Sequence, residues 1–405
     1  MKLIMVGGIF PPDKYEEIID SSLGVIDFAA DTLQKSILNG LSYHMTSNVI
    51  LLNLPFIGSY PNGYKKLYDT TYKFDFKTPY GLVEGHNVGF CNLTGYKVYS
   101  RYKRLKQHDI LKHISNDEED VILLIYSTTI PPVQACVECK KKHPNVKIVC
   151  IVTDLPEYMS SKTNIIRDIY KNMENTLLKK CYKSVDGWVL LSQHMTERLP
   201  VKKNNWIVME GIYNGLVDDC VTSIVSSDKY ILYAGTLAER YGIQTLVRAF
   251  YNSKLTDVKL YICGAGDSQK MIESYCQKDD RIKYLGQLRR EDVLKLQKRA
   301  LLLVNPRTPE GEFTKYSFPS KTMEYMASGV PVLMYKLPGI PEEYFKYCYV
   351  VEEIGERVLT ETIETVLNHS EEELRGIGKS AREFILKQKN PISQIGKVVE
   401  FIKTL

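Results

Sequence analysis

Asn305-Pro-Arg-Thr-Pro-Glu-Gly-Glu-Phe-Thr-Lys-Tyr-Ser-Phe-Pro-Ser-Lys-Thr-Met-Glu-Tyr-Met-Ala-Ser-Gly-Val-Pro-Val-Leu-Met334 reads as a strand end, a polar loop, a short helix, a glycine stop and a second strand. The apolar run Leu301 to Val304 suits a buried strand, and Asn305-Pro306 ends it because proline cannot continue a sheet ladder. Pro319 suits the first turn of a helix, where its missing N–H costs nothing, with Ser317 or Phe318 near the cap. Gly329 stands where a helix end favours a left-handed residue, and Val330 to Met334 begins the next strand.

That order has a chemical consequence. The free amides and positive dipole end around Phe318 to Lys321 suit an anion. Ser320 and Glu324 are four apart and share a face, with Lys321 at the mouth of the helix. A phosphate at this end leaves Glu324 one turn further in, placed to accept hydrogen bonds from neutral hydroxyls. Phosphate plus vicinal hydroxyls describes a nucleotide. An ordinary surface helix with a solvated Glu and Lys would read the same way on these residues alone.

The segment Ser317-Phe-Pro-Ser-Lys-Thr-Met-Glu-Tyr-Met-Ala-Ser-Gly-Val-Pro-Val332 resembles the donor motif of family 4 retaining glycosyltransferases of the GT-B fold. It is most similar to the bacterial polysaccharide branch with a Phe-Pro-Ser-Lys version. The resemblance implies an α/β protein of two doubly wound Rossmann-like domains facing across a cleft. In that family two glutamates eight positions apart meet the donor, the first at the sugar and the second at the ribose. Glu324 matches the second. Tyr316 stands at the first, a departure from the pattern, and Glu310 and Glu312 lie upstream in the same loop as substitutes.

At 405 residues the chain is too long for one ordinary core and suggests two domains. Its 44 % apolar and 25 % charged content is that of a soluble globular protein, and a net charge of +5 does not by itself imply nucleic acid. No apolar run reaches the roughly 18–20 residues needed to span a bilayer. Met1-Lys-Leu-Ile-Met-Val-Gly-Gly8 is too short an apolar run for a signal peptide and reads as a first strand. A cytoplasmic protein is the expectation. Nine cysteines, odd in number and scattered, fit reduced thiols, and the lone Cys136-Val-Glu-Cys139 pair lacks a second pair at zinc spacing. The seven histidines show no ligand spacing, so no metal is expected.

Strand and helix signals alternate along the chain, which indicates parallel α/β layers. Lys2 to Val6 is the first strand, and Gly7-Gly-Ile-Phe-Pro-Pro12 is a tight loop whose glycines permit close approach of a ligand. Ala29 to Tyr43 is an amphipathic helix with Leu33, Ile37, Leu38 and Leu41 on one face. Further strands read at Val49 to Leu52, Val121 to Tyr126, Val146 to Val152 and Gly187 to Leu191. Pro61 to Asn92 is irregular and aromatic, with room for a hairpin or a mobile loop. The basic, tyrosine-rich run Tyr96 to His113 fits either a solvated helix face or contact with an anionic membrane surface or lipid pyrophosphate.

A second α/β set follows Asn214, with Val221 to Lys229 as a polar linker, so the domains run 1–215 and 216–389. In the resembled fold the tail 390–405 is a helix crossing back to the first domain. Tyr230 to Ala234 leads into Gly235-Thr-Leu-Ala-Glu-Arg-Tyr-Gly242, and Val258 to Cys263 leads into Gly264-Ala-Gly-Asp267. The latter lacks the third glycine and acidic partner of a nicotinamide site. The family's diphosphate-neutralising Arg and Lys positions are here Thr236 and Tyr241, but Arg240 is adjacent and, with Lys321, offers two positive charges. Arg307 at a strand end is a further donor-side cation.

The donor side is thus expected to comprise Gly235, Thr236, Arg240, Gly264 and Arg307, the loop Tyr316, Ser317 and Phe318, and Pro319, Ser320, Lys321 and Glu324. Asp154, after a strong apolar strand, and Glu157 suit an acceptor hydroxyl or its proton, although Asp154 fits a simple cap as well. Gly7 and Gly8 join them on the acceptor side, and Asp154, Arg240 and Lys321 carry the chemistry. The resemblance implies transfer from a nucleotide-diphosphate sugar, UDP ahead of GDP, to a glycan or lipid-linked acceptor in surface polysaccharide assembly. No cofactor or metal is implied, and a front-face route is the family's expectation for retention. A non-catalytic partner subunit of the same fold is the alternative, favoured by Tyr316; a nucleotide-sugar epimerase lacks a visible acid and base pair.

Overall fold

A computed structural model describes residues 1–45, 49–114, 120–155, 165–215 and 228–405. The linker expected at 221–229 lies mostly outside them, as does Glu157. The chain divides into two compact units, Met1–Ile212 with Pro391–Leu405, and Tyr213–Asn390.

The first unit contains β1 (Lys2–Gly7), β2 (Val49–Asn53), β3 (Tyr72–Thr78), β4 (Gly81–Asn87), β5 (Val121–Tyr126), β6 (Val146–Val152), β7 (Gly187–Leu190) and β8 (Trp206–Val208). They form one sheet in the order β3-β4-β2-β1-β5-β6-β7-β8. Every pairing is parallel except that of β3 with β4. The apolar runs Leu3–Val6 in β1, the whole of β5 and Ile148–Val152 in β6 are buried, as strands covered on both faces require. β3 alternates instead: Phe74 and Phe76 are buried while Lys73, Asp75 and Lys77 face solvent. Its charges protect an exposed sheet edge. The irregular stretch 61–92 thus contains a hairpin, β3 with β4.

α1 (Tyr15–Ser21) precedes the long helix α2 (Phe28–Met45), which buries Ile37, Leu38 and Leu41. α13 (Pro391–Lys403) lies on α2 and buries Ile395, Val398, Val399 and Ile402 in the same core. Gly40 makes this crossing possible, because a Cβ there would overlap the Pro391 carbonyl and the Ile395 side chain. Gln394 Nε2 donates to the Gly211 carbonyl at 2.8 Å.

The basic run forms α3 (Lys97–Lys106) and α4 (Asp109–Lys112), and α3 packs on α5 (Ile130–Lys140), which also meets α6 (Ile165–Tyr182). Its cations do not form a continuous solvated surface. Lys97 Nζ donates to the Ile57 carbonyl. Arg101 Nη2 donates to Leu54 O at 2.6 Å, with its guanidinium over the Phe56 and Phe90 rings. Arg104 Nε donates to Gly89 O at 3.0 Å. The helix therefore spends three charges bracing its own unit, which weakens the membrane-surface reading. Among the described residues no helix is long and apolar enough to cross a membrane.

Burial pushes Lys97 down to about 7, with Arg101 reinforcing and Asp69 opposing the shift. Its folded value lies below its ordinary value, so the unfolded chain binds more protons between the two, and stability rises with pH through that window. Urea unfolding of the wild type should show a gain between pH 7 and 9 of up to about 1.4 kcal/mol per pH unit. Lys97→Met should flatten that slope; an unchanged slope would assign the gain to other groups.

The second unit holds β9 (Tyr230–Ala234), α7 (Ile243–Tyr251), β10 (Lys259–Cys263), α8 (Gln269–Cys276), β11 (Ile282–Tyr284) and α9 (Arg290–Arg299). It continues through β12 (Leu302–Asn305), α10 (Ser320–Ala327), β13 (Val332–Tyr335), β14 (Tyr349–Val351), α11 (Glu356–Leu367) and α12 (Glu371–Gln388). Its sheet runs β11-β10-β9-β12-β13-β14, all parallel. One core joins α10 and α12 to the sheet through Met323, Tyr325, Ala381 and Phe384. Another joins α7 and α11 through Ile243, Leu246, Leu359 and Ile363. Strand order reverses between β9 and β12, the place where such sheets bind ligands beyond their carboxyl ends.

Candidate functional site

At that reversal the ends of β9, β10 and β12 converge on the start of α10. Pro319 is the cap residue rather than a member of the first turn, and no side chain caps the helix. A proline has neither an N–H nor a side-chain oxygen to offer there, so the first amides of α10 remain open to an external acceptor. Gly329, at φ 81°, ends the helix in the left-handed conformation that its position favours.

Tyr325, fully buried, fixes β9 against α10. Its hydroxyl accepts from Ala234 N at 2.8 Å and donates to Ala234 O at 3.1 Å. Lys321 Nζ reaches the same carbonyl. Gly235 leaves room for that ammonium, and Gly264, at φ 135°, lets the β10 turn lie directly on Gly235, whose carbonyl a Cβ would overlap. Burial lowers the Lys321 pKa, while Glu324 and Cys263 oppose that shift. Among the described residues Lys321 has no ion-pair partner.

Arg307 is 9 % exposed. Its guanidinium lies 5.4 Å from the Tyr241 ring centroid and 4.7 Å from that of Phe313. Nη2 donates to Ser317 Oγ at 3.1 Å, and the buried Nε has no partner among the described residues. Burial pulls its pKa down and no carboxylate pairs with it among the described residues. Arg240 is exposed, stacked 5.0 Å from the same Tyr241 ring, with Nη2 3.2 Å from the Tyr241 hydroxyl. Arg307 is therefore the enclosed cation and Arg240 the outer one, a reversal of the weight the sequence placed on them.

Glu324 Oε1 accepts from Gln297 Nε2 at 2.7 Å, and Oε2 lies 3.8 Å from Arg290 Nη2. A carboxylate has about four acceptor positions, so capacity for a diol remains. Gln297 is completely buried on α9 and orients the carboxylate; its Oε1 has no partner. No spacing in the sequence marked Gln297 or the Tyr325 hydroxyl, because each acts across elements far apart in the chain.

The loop that leads through Tyr316, Ser317 and Phe318 to α10 is largely buried. Thr314 is buried and donates to the Pro309 and Gly311 carbonyls. Tyr316 is 3 % exposed, and Phe318 packs against Tyr344 with ring centroids 5.3 Å apart. These side chains turn into the protein and leave mainly backbone and Ser317 for a ligand. Thr236 and Ser320 are exposed near the turn and the helix start.

In the first unit Gly7 and Gly8 are buried. A Cβ on either would collide with Gln34 or Leu54, and Gln34 Oε1 accepts from Gly8 N at 2.7 Å. The space a Cβ would need at these two positions is filled by the chain itself. Asp154 follows β6 as an exposed residue; desolvation by its surroundings raises its carboxyl pKa, and Asp27 adds to the shift. Cys136 and Cys139 are buried, and burial raises both thiols.

Residues 220–384 match the family described as Glycosyl transferases group 1. No curated protein matches the chain in sequence. Among solved structures, the sucrose-phosphate synthase of Thermosynechococcus elongatus is similar with a TM-score of 0.61 at 16 % identity, over 100 % of this chain and 99 % of that one. Anabaena Alr3699/HepE in complex with UDP gives 0.59 at 12 % identity, over the whole of both chains. The lipopolysaccharide outer core galactosyltransferase WaaB, in its apo form, gives 0.60 at 12 %, over 100 % and 99 %. The fold is that of GT-B glycosyltransferases, with two Rossmann-like units, and the match over the second unit supports a glycosyltransferase.

Proposed function

We propose that the protein is a metal-independent, retaining glycosyltransferase that moves a sugar from a UDP-sugar to a hydroxyl of a glycan or lipid-linked acceptor in surface polysaccharide assembly. One observation carries the donor assignment. Two cations without carboxylate partners among the described residues, Lys321 in the first turn of α10 and Arg307 bonded to Ser317 just before it, attend the uncapped start of that helix. Enclosing such charges costs free energy unless an anion completes the site. A diphosphate supplies the missing charge, and Glu324, one turn inward, takes the ribose hydroxyls. HepE, of like fold, is a UDP complex, which supports the choice of base.

In the reaction the bond from the anomeric carbon to the diphosphate oxygen breaks, and the electron pair leaves with the diphosphate. Lys321, Arg307, Arg240 and the α10 amides stabilise the departing charge. The acceptor oxygen bonds to the anomeric carbon on the same face and passes its proton to the departing diphosphate oxygen. Asp154, with its raised pKa, is the side chain assigned to orient that hydroxyl. The protein's own cations take the role a divalent ion plays elsewhere.

The test is incubation with a panel of UDP- and GDP-sugars in chelator, following nucleotide diphosphate release. Slow release from one donor, lost in Glu324→Ala, is the expected result. Donor binding without turnover, even with membranes and lipid-linked acceptors added, would favour the non-catalytic partner subunit. Tyr316, buried and standing where the resembled family has its sugar-side glutamate, is the observation that favours this second reading.

A further inference from the structure

In the first unit strand order reverses between β1 and β5, so the carboxyl ends of those strands are the place for a ligand. The helix that starts there is unlike α10. α5 begins Ile130-Pro131-Pro132, so two of its first three residues have no N–H, and no side chain caps it. An anion finds few amides to hold it at this helix start.

The charges point the same way. Asp27, just before α2, accepts from Ala30 N at 3.0 Å. Asp154 follows β6, close enough to Asp27 that the second charge adds to the shift burial causes. Neither carboxylate has a cation partner among the described residues. Both also act on the hydroxyl of Tyr126, the last residue of β5, with Thr153 beside it. Tyr126 is 3 % exposed, and burial, more than the two carboxylates, holds its proton in place.

Ser127 comes next. At φ 81° it is one of two non-glycine residues among those described in the left-handed region, and such strain gathers at functional sites. Ser127 is 5 % exposed, and its hydroxyl has no partner among the described residues. Its N–H donates to Ile151 O at 3.0 Å, and Thr128 Oγ1 lies 3.5 Å from Asp154 O, so the ends of β5 and β6 are tied together.

Two carboxylates, a phenol and an unpartnered hydroxyl suit a ligand that donates hydrogen bonds and carries no negative charge. Sugar hydroxyls meet that demand, whereas phosphates and sugar acids set like charges together. We infer that the first unit takes its acceptor as an uncharged, hydroxyl-bearing ring at the ends of β5 and β6, and that Asp27 bars acceptors phosphorylated or carboxylated on that ring. The inference rests on the glycosyltransferase reading and narrows its acceptor. In a lipid-linked acceptor the phosphates then lie away from the ring that is extended.

The experiment compares methyl glycosides with the matching sugar phosphates as acceptors, using the UDP-sugar that the protein turns over and measuring UDP affinity alongside. Wild type and Asp27→Asn are assayed. Asparagine caps a helix as well as aspartate does, so the variant loses the charge and keeps the start of α2. Wild type should use a methyl glycoside with kcat/KM about tenfold or more above that for its phosphate. Asp27→Asn should bring that ratio within about threefold, mainly through KM for the phosphate, with UDP affinity unchanged. Preference of the wild type for the phosphate, or a ratio unchanged in Asp27→Asn, would overturn the inference while leaving the donor site standing. Donor turnover with transfer to neither class of acceptor would overturn it as well. Failure of the wild type to bind any UDP compound would overturn the glycosyltransferase reading and the inference with it.

Discussion

Lys321→Met is expected to lower kcat/KM for donor turnover by about 10²–10³-fold, the usual effect of removing one preorganised group from developing negative charge. The same substitution should leave the fold intact or slightly more stable. Lys321 has no ion-pair partner among the described residues, and burial already lowers its pKa. A methionine keeps the apolar stem and removes a poorly solvated charge. Opposite movements of activity and stability distinguish a ligand-binding cation from a structural one. If turnover and melting temperature fell together, Lys321 would be a brace between α10 and β9, and the anion site would lose its centre. Lys321→Arg should not restore activity, since the ammonium packs directly against Gly235 and a guanidinium is bulkier and differently shaped.

Gly264→Ala should be the most damaging single-atom change in the second unit. Its φ of 135° is a conformation that residues with a Cβ rarely adopt, and the new methyl would overlap Gly235 O. Backbone strain of about 1–3 kcal/mol adds to an overpacking cost of about 1–3 kcal/mol. Roughly 2–6 kcal/mol is a large share of the stability of any domain. Urea unfolding should show the loss, and near-wild-type stability would mean that the two turns can part without cost. Because Gly235 also accommodates Lys321, even a folded variant should bind UDP poorly.

Much of this was legible in the chain. Strongly apolar runs such as Val121 to Tyr126 and Val146 to Val152, the latter interrupted only by Lys147, specify buried parallel strands by themselves, and both occur with those bounds. The motif around α10 was readable because a proline, a lysine, a glutamate and a glycine occupy positions with separate physical meanings. The hairpin β3–β4 was harder to place, since the alternation of Tyr72 to Lys77 is short and its partner strand carries two glycines. Side-chain direction was not legible at all. Tyr316 and Phe318 could face ligand or core on sequence grounds, and packing against residues as distant as Tyr344 turned Phe318 inward. Nor could spacing show that Arg307 would be sandwiched between Tyr241 and Phe313, or that Gln297 would hold Glu324.

The helix α13 has a consequence for the order of events during synthesis. The first unit is closed by a segment translated after the whole of Tyr213–Asn390. At about 5–20 residues per second, that interval lasts roughly ten to thirty seconds. During it the α2 surface around Gly40 and Leu41 has no cover, while the second unit emerges as one uninterrupted stretch and is free to fold first. The unit made first is therefore the one finished last, and a ribosome stalled anywhere before Pro391 carries an apolar face that invites chaperones.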